Sequence, residues 1–326
     1  MATLKDVAER AGVTVTTVSR MLNNKVCVSE KTRSRIQAAM NELGYHPNDF
    51  ARSLSKKSSN FIGLIVPMAD HAFFNSVIAS VERHASERGL KLLLCVSNHA
   101  FEKEKEFIHM LLSNKVQGII LASHTEGIDE FESIDAPLIT LDRVVNARIP
   151  AVCADNYHGG KLAGRHLIER GCRKLVYISD TPIPYMEASK RYLGFCDACA
   201  QAGVDRPPEV IAADNQFCQM DYHKTIEKVF AEHPDVDGIF TSNDIIAAQV
   251  IQYCRRHGIS IPDQLKLVGY DNSQLASMCS PPLTAIHQPI DDICNYAVAS
   301  IVQASKGYLN PSQAVFPVTL VERETT

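Results

Sequence analysis

The sequence contains no run of eighteen apolar residues, although 45% of its 326 residues are hydrophobic. Without such a run we expect no membrane-spanning helix. We also expect no export signal, because Met1–Asp6 leads directly into a charged amphipathic segment. These absences favour a cytoplasmic location, and the apolar content suffices for two or three compact units.

The motifs of common enzymes are also lacking. The chain has no phosphate-binding Gly-Lys loop, no spacing of metal ligands and no combination of nucleophile and base. Its ten cysteines are scattered, as in a protein of a reducing compartment. The CxxC segment Cys196–Cys199 has no partner pair and no strand-turn-helix setting, so we interpret it as two small residues on an amphipathic helix. We expect no enzymatic activity, no cofactor and no metal.

Charge is distributed unevenly along the chain, whose net charge is −4. Residues 1–60 contain ten Lys and Arg against five Asp and Glu, a balance of +5. The remaining residues contain 23 basic and 32 acidic side chains, a balance of −9. A basic segment in front of an acidic body favours nucleic-acid binding that is confined to one small domain.

Residues 4–20 predict a helix, a tight turn and a second short helix. Ala8 is small enough to let the helices approach, Gly12 stands where the turn needs a positive φ, and Val18 closes a small core. Thr14 is the expected N-cap of the second helix. This helix is rich in β-branched residues, which are mediocre helix formers, so its shape must come from packing. A short polar helix suits the DNA major groove, although the spacing alone also fits an ordinary helical hairpin.

The basic segment is expected to contain two more helices. Ser29 caps a third helix, which ends at Leu43 and is followed by Gly44. Residues 45–54 predict a short helix led by proline, and residues 55–60 form a polar linker.

From residue 60 onward, buried strands alternate with helices. The expected strands are 61–67, 91–96, 116–122, 138–141, 174–179 and 236–241, and the expected helices are 73–89, 102–114, 159–170, 187–202 and 221–233. The third strands of the two halves are nearly alike, Val116–Ile120 and Val236–Phe240. We therefore expect an all-α helix-turn-helix head and an α/β core of two doubly wound parallel-sheet subdomains that face each other across a cleft.

Ligands of doubly wound folds bind at the carboxyl ends of the strands, so the residues that follow strands are candidates. These residues combine aromatic rings with carboxylate, amide and guanidinium groups, which suits a polyhydroxylated ligand. The candidates are Phe73, Phe74, His124, Asp142, Arg143, Arg191, Asn243, Asp271 and Gln288. Simpler roles stay open: the aspartates as caps or turn residues, one phenylalanine in the core, Arg191 in an internal ion pair and His124 on a surface loop.

With these features the chain resembles the LacI/GalR family of bacterial transcription regulators from residue 3 to its C-terminus. The resemblance implies a core that is similar to periplasmic sugar-binding proteins. The implied divisions are a helix-turn-helix domain at 1–46, a hinge helix and linker at 47–59, and an effector-binding and dimerisation core at 60–326, with an N-subdomain at about 60–157 and 289–315 and a C-subdomain at about 158–288 and 316–326.

The resemblance also implies how the head binds double-stranded, pseudo-palindromic operator DNA. Val15, Thr16 and Arg20 match the base-reading positions, and Arg20 can pair with a guanine edge. Leu54 matches a leucine that wedges between base steps from a hinge helix formed only on operator DNA, and Ala51 lies where two hinge helices cross. The expected DNA-binding set is Thr14, Val15, Thr16, Thr17, Arg20, Asn23, Asn48, Ala51 and Leu54.

In the core, the resemblance implies a sugar effector. Phe217 stands in a slightly different register from the family's aromatic residue, which leaves its stacking role open. The chain stops just after the core without an added heptad helix, so we expect a homodimer rather than a tetramer. Segments such as 63–67, 123–129 and 136–143 are similar to sucrose-operon repressors, which implies sucrose, fructose or a phosphorylated sugar as effector.

We therefore expect a repressor of a carbohydrate-utilisation operon that a small sugar or sugar phosphate releases from its operator. One alternative keeps the fold but makes the ligand, or a phosphocarrier protein, a corepressor. Another is a sugar-binding transport protein, against which the basic head and the expected lack of an export signal both count.

Overall fold

The computed structural model describes residues 2–22, 28–45, 59–123, 134, 136–146, 148–180, 186–212 and 218–326. The chain divides into two compact units, Met1–Ser59 and Asn60–Thr326. Among the described residues, no helix is both long and apolar enough to cross a membrane. The predicted hinge helix and the boundary at residue 46 lie outside the described residues.

Three helices lie within the described residues of the first unit. They are α1 (Leu4–Ala11), α2 (Val15–Leu22) and α3 (Glu30–Glu42). Gly12 ends α1 with φ 62°, as the predicted turn requires. The Thr17 amide donates to Thr14 Oγ1 at 3.2 Å, and the Thr32 amide donates to Ser29 Oγ at 3.3 Å. Both predicted N-caps are thus confirmed. The helices share one apolar core, formed by Val7, Ala8, Ala11, Val18, Met21, Ile36, Ala39 and Met40.

The second unit alternates strands and helices. In chain order the elements are β1 (Phe61–Val66), α4 (Ala72–Glu87), β2 (Lys91–Val96), α5 (Phe101–Ser113), β3 (Ile119–Leu121), β4 (Leu138–Leu141), β5 (Ala151–Ala154), α6 (Asn156–Glu169), β6 (Leu175–Ser179), α7 (Lys190–Gln201), β7 (Glu209–Ile211), α8 (His223–Glu232), β8 (Gly238–Thr241), α9 (Asp244–His257), β9 (Lys266–Asp271), α10 (Gln274–Met278), β10 (Thr284–His287), α11 (Ile290–Ala304), β11 (Gln313–Phe316) and β12 (Thr319–Val321). The helix predicted from residue 187 begins with a 3₁₀ turn, Glu187–Ser189, before α7.

The strands form two six-stranded sheets. The first sheet has the order β11-β5-β4-β3-β1-β2, and the second has the order β12-β10-β9-β8-β6-β7. Apolar side chains cover both faces of each sheet, with α4 and α11 packed together on one face of the first sheet and α6 and α7 packed together on the second. This arrangement is the expected pair of doubly wound α/β subdomains.

The chain passes between the two sheets at three short links. The first link joins β5 to α6, the second joins β10 to α11, and the third joins β11 to β12. Each link contains one or two residues. Links this short hold the two subdomains edge to edge.

One strand departs from the all-parallel prediction. β12 pairs with β10 in the antiparallel direction, whereas every other neighbouring pair among the described strands is parallel. The two-residue link leaves β11 at the carboxyl edge of the first sheet and enters the second sheet at its own carboxyl edge. A strand that enters there must run against its neighbours, since a parallel entry needs a long crossover. The carboxyl edges of the two sheets therefore face each other.

Two glycines bring α6 and α7 into backbone contact. A Cβ at Gly160 would lie 1.9 Å from the Arg191 carbonyl oxygen, and a Cβ at Gly194 would lie 1.9 Å from the Tyr157 carbonyl oxygen. No other residue fits at these positions, so the glycines fix the start of α7 beside the start of α6.

Candidate effector site and DNA-reading surface

The short helix α2 presents a polar face to the solvent. Val18 and Met21 are buried against the other helices, whereas Val15, Thr16 and Arg20 are exposed. Val15 keeps 42% of its surface exposed and does not belong to the core of the head. The three predicted base-reading side chains are thus free of the core of the head.

Thr14 and Thr17 lie at the start of the same helix. Their hydroxyl oxygens are 2.9 Å apart, so each hydroxyl has a hydrogen-bonding partner before any DNA is present. The other predicted DNA-binding residues, Asn23, Asn48, Ala51 and Leu54, lie outside the described residues, as do His124 and Phe217.

In the second unit, Arg191 joins the strand ends of both sheets. Its Nε donates to Asn156 Oδ1 at 2.7 Å, and its Nη1 donates to the Ser242 carbonyl at 2.5 Å. Its Nη2 lies 3.9 Å from Asp142 Oδ2, at the end of β4. The guanidinium also stacks 3.7 Å from the ring centroid of Tyr270 on β9. Arg191 is therefore the point where the two carboxyl edges meet.

The predicted residues at the end of β9 are close to this point. Gln288 Nε2 donates to Asp271 Oδ1 at 2.7 Å, and both side chains are buried. Asp271, Asn272 and Asp142 have φ values of 98°, 53° and 52°, in the left-handed region that few residues other than glycine adopt. Strained backbone of this kind is frequent at binding sites, where it aims a side chain.

Asn243 is positioned by the end of β6. Its Oδ1 accepts from the Ile246 amide at 2.9 Å, which caps α9, and its Nδ2 donates to Asp180 Oδ2 at 3.0 Å. The Ser242 hydroxyl donates to the other oxygen of Asp180 at 2.8 Å. Asp180 therefore fixes the rotamer of a predicted ligand-binding amide.

The two predicted aromatic residues have different surroundings. Phe74 is 2% exposed and belongs to the hydrophobic core, whereas Phe73 is partly exposed and packs edge-on against it with ring centroids 5.1 Å apart. His71 caps this helix by accepting from the Phe73 amide at 3.2 Å. Burial lowers the pKa of His71 to about 4 although Asp180 of the other subdomain raises it, which leaves the imidazole neutral at pH 7.

Arg143 lies in a contact between the subdomains. Its backbone forms an antiparallel bridge with Met186, and the Glu187 amide donates to the Asp142 carbonyl at 3.2 Å. Glu187 in turn pairs with Lys190 at 2.7 Å. The end of β4 is thus tied to the segment that leads into α7.

The carboxylates around Arg191 are shifted toward their neutral form. Burial raises the pKa of Asp142, and Arg191 opposes this shift. Burial likewise raises the pKa of Asp271 well above its usual value, and that of Asp244 to about 7. Asp244 Oδ2 accepts from the Ser273 amide at 2.7 Å, whereas its buried Oδ1 has no hydrogen-bonding partner. Such a site offers both donors and acceptors to ligand hydroxyl groups. Among the described residues, no group of three His, Cys, Asp or Glu is placed to hold a metal.

Four residues of the site were not among the sequence candidates. Asn156, Asp180 and Asp244 each follow a strand closely, so the position of strand ends was the available signal. Asp180 directly follows a strand that the sequence predicts. Tyr270 directly precedes the candidate Asp271, but it lies inside β9, where an aromatic residue looks like ordinary core.

Family models match both parts of the chain. The model for bacterial regulatory proteins of the lacI family matches residues 3–48, and that for a periplasmic binding protein-like domain matches residues 165–326. A DNA-binding head joined to such a core defines a ligand-responsive transcriptional regulator. The chain belongs to the LacI family of bacterial regulatory proteins. The expected family, fold and class of regulator are confirmed.

Two curated relatives match along nearly their whole length. The chain is 36% identical over 325 residues to the sucrose operon repressor of Streptococcus mutans serotype c, covering 100% of this chain and 99% of the relative. It is also 36% identical over 327 residues to the ribose operon repressor of Halalkalibacterium halodurans, covering 100% and 97%.

Two solved structures are also similar. The lac repressor dimer bound to operator and the anti-inducer ONPF has a TM-score of 0.86 at 26% identity and covers 99% of this chain and 98% of that chain. A periplasmic binding protein/LacI transcriptional regulator from Alkaliphilus metalliredigens QYMF, complexed with D-xylulofuranose, has a TM-score of 0.73 at 33% identity. It covers 82% of this chain and 99% of that chain.

Proposed function

We propose that this repressor controls a carbohydrate-utilisation operon and leaves its operator when a small sugar binds between its two sheets. The observation that carries the proposal is Arg191, which is buried where both carboxyl edges meet and is surrounded by carboxylate and amide groups. A guanidinium and buried carboxyl groups bind vicinal hydroxyls well, because they supply donors and acceptors with little freedom to reorient.

The proposal gives each candidate residue a role. Asp271, Arg191 and Asn243 contact the sugar from one subdomain, and Asp142 and Phe73 contact it from the other, with Phe74 behind Phe73. Gln288 orients Asp271 through the hydrogen bond described above. Arg143, together with His124 as the sequence predicts, adds positive charge for the phosphate of a phosphorylated sugar.

We infer that the effector is a sugar in furanose form, with sucrose or its fructose moiety as the first choice. The similarity to a sucrose operon repressor supports this choice. The similarity to a structure complexed with D-xylulofuranose supports it too, because that ligand has the five-membered ketose ring that fructose has within sucrose. The ribose operon repressor makes ribose the main competitor.

The head acts as the DNA-reading part in this proposal. Val15, Thr16 and Arg20 contact base edges, and Leu54 widens the central minor groove of a pseudo-palindromic operator. The similarity to the lac repressor dimer supports action as a homodimer on operator DNA, and action on DNA in turn supports a cytoplasmic location. The proposal includes no catalytic step.

A thermal-shift screen tests the choice of effector. Sucrose, fructose, ribose and their phosphates are added in turn to the full chain, and the true effector raises the melting temperature because it binds the native state. Asp271→Ala abolishes the shift, whereas Asp263→Ala, on the exposed surface of the same subdomain, keeps it. A shift that persists in Asp271→Ala would remove Asp271 from the site, and a panel without any shift would refute a sucrose- or ribose-like effector.

A further inference from the structure

Asn156 lies at the first of the three links between the sheets. It is the first residue of α6, only Asp155 separates it from β5, and it is 1% exposed. Its Nδ2 donates to Asp142 Oδ1 at 2.6 Å and to the Ala154 carbonyl at 3.1 Å. Both acceptors belong to the subdomain of the first sheet.

The oxygen of the same amide serves the other subdomain. Asn156 Oδ1 accepts from Arg191 Nε at 2.7 Å and from the Tyr270 hydroxyl at 3.2 Å. A carboxylate accepts and a guanidinium donates, so these partners fix which end of the amide is nitrogen and which is oxygen. Two donor hydrogens and two lone pairs are all used, which locks the side chain between the subdomains.

Arg191 and Asp142 also face each other directly, through a second pair of atoms that Asn156 does not contact. Arg191 Nη2 and Asp142 Oδ2 are 3.9 Å apart, too far for a direct hydrogen bond. A hydroxyl oxygen that accepts from Arg191 and donates to Asp142, through bonds of about 2.8 Å at a tetrahedral angle, would hold these atoms roughly 4.5 Å apart. Such a hydroxyl therefore separates the two groups that Asn156 holds together.

We propose that Asn156 is the positioning residue that converts ligand binding into a change of the angle between the subdomains. It acts as a bridge of fixed length on one side of Arg191 and Asp142, so a hydroxyl inserted on the other side rotates the subdomains about it. The inference rests on the proposed function, since it requires a hydroxylated ligand at Arg191. Removal of the bridge lets the ligand separate the two side chains without moving the sheets.

The first test replaces the donor by an acceptor. Asn156→Asp keeps the shape and the acceptor for Arg191 but sets a carboxylate against Asp142, with Tyr270 and the Glu187–Lys190 pair as the other ionisable neighbours. Two ionised carboxylates repel, and a proton on either one restores the hydrogen bond. The affinity of the full chain for an operator duplex selected from a random pool should fall about tenfold at pH 8 and return to within about threefold of the wild type at pH 5.5.

Matched variants separate this role from simple damage to the fold. Asn114→Asp makes the same chemical change at the end of α5, away from the site, and should behave as wild type at both pH values. The exchange variant Asp142→Asn with Asn156→Asp restores one donor and one acceptor, so its operator affinity should recover at pH 8. A loss that is equal at both pH values, or an exchange variant as weak as Asn156→Asp alone, would overturn the inference.

A second measurement keeps this inference apart from the choice of effector. The measurements of operator affinity described above are made without sugar, so their outcome does not depend on which sugar binds. For the sugar that raises the melting temperature, Asn156→Ala should keep the thermal shift while the sugar-induced loss of operator affinity shrinks by about tenfold. Unchanged sugar-induced release in Asn156→Ala would contradict the role of Asn156, whereas absence of any thermal shift in the wild type would contradict the proposed function.

Discussion

Single residues of the core are held in costly states. Asp142, Asp244 and Asp271 are buried near Arg191, and each has a pKa that burial raises. Asp142 and Asp271 also have left-handed backbone conformations. Energy stored in buried, partly neutral carboxyls and strained backbone is available to a ligand that brings new hydrogen bonds. The candidate site therefore gives up stability, as the proposed binding of a ligand would require.

The cost of burying Asp244 can be measured through the pH dependence of the free energy of unfolding. Its pKa is raised from 3.8 to about 7, so the folded protein holds a proton that the unfolded chain releases above pH 4. The free energy of unfolding should therefore fall as pH rises from 4 to 7, by at most about 1.4 kcal/mol per pH unit for this one proton. Asp244→Asn should remove that part of the slope. Chemical denaturation of both proteins between pH 4.5 and 8 measures the slopes; identical slopes would show that Asp244 is ionised throughout.

The starts of helices and the links between strands determine where these residues lie. α2 is held by a cap and two buried side chains, and its exposed face carries the proposed DNA-reading residues. α7 begins beside α6 because glycines at their crossing remove two side chains. The carboxyl edges face each other because the links between the sheets are short. Each of these features positions side chains that the proposed function uses.

The role of Arg20 is a prediction at the scale of α2. Arg20→Ala should reduce affinity for the selected operator by about 1–3 kcal/mol and relax the preference for one base pair in each half-site. Lys31→Ala, which removes an exposed positive charge at the start of α3, is the control, since loss of a sequence-independent electrostatic attraction weakens binding to all sequences equally. Selection from a random duplex pool with each variant compares the preferences. An unchanged base preference in Arg20→Ala would show that Arg20 does not read a base.

The sequence was informative wherever a local rule applies. Hydrophobic periodicity predicted β1, β2 and β4, and the tolerance of glycine for a positive φ predicted the turn at Gly12. The rule that ligands bind at strand ends selected Asp142 and Asp271. Asn156 was missed because an Asn beside an Asp at a helix start looks like a cap, and its four partners come together only in the folded chain. The antiparallel β12 was missed because its direction depends on how the two sheets face each other.

The whole molecule separates two chemistries along one chain. The basic residues 1–60 suit DNA, and the acidic remainder contains the candidate sugar site. Communication between them needs a core that adopts two arrangements, and three short links with Asn156 at the first provide a defined axis for that change. A coupling free energy of about 1–3 kcal/mol is enough to change operator occupancy strongly.

Sugar-induced release from DNA tests the central claim most directly. A fluorescent operator duplex is saturated with the full chain, the sugar that raises the melting temperature is titrated in, and the anisotropy of the duplex is followed. The account predicts that the sugar weakens operator binding by about 5–150-fold. It also predicts that Asp271→Ala binds operator as tightly as wild type and is not released, while Asp263→Ala is released normally. Tighter operator binding in the presence of the sugar, or equal release of Asp271→Ala, would contradict the account.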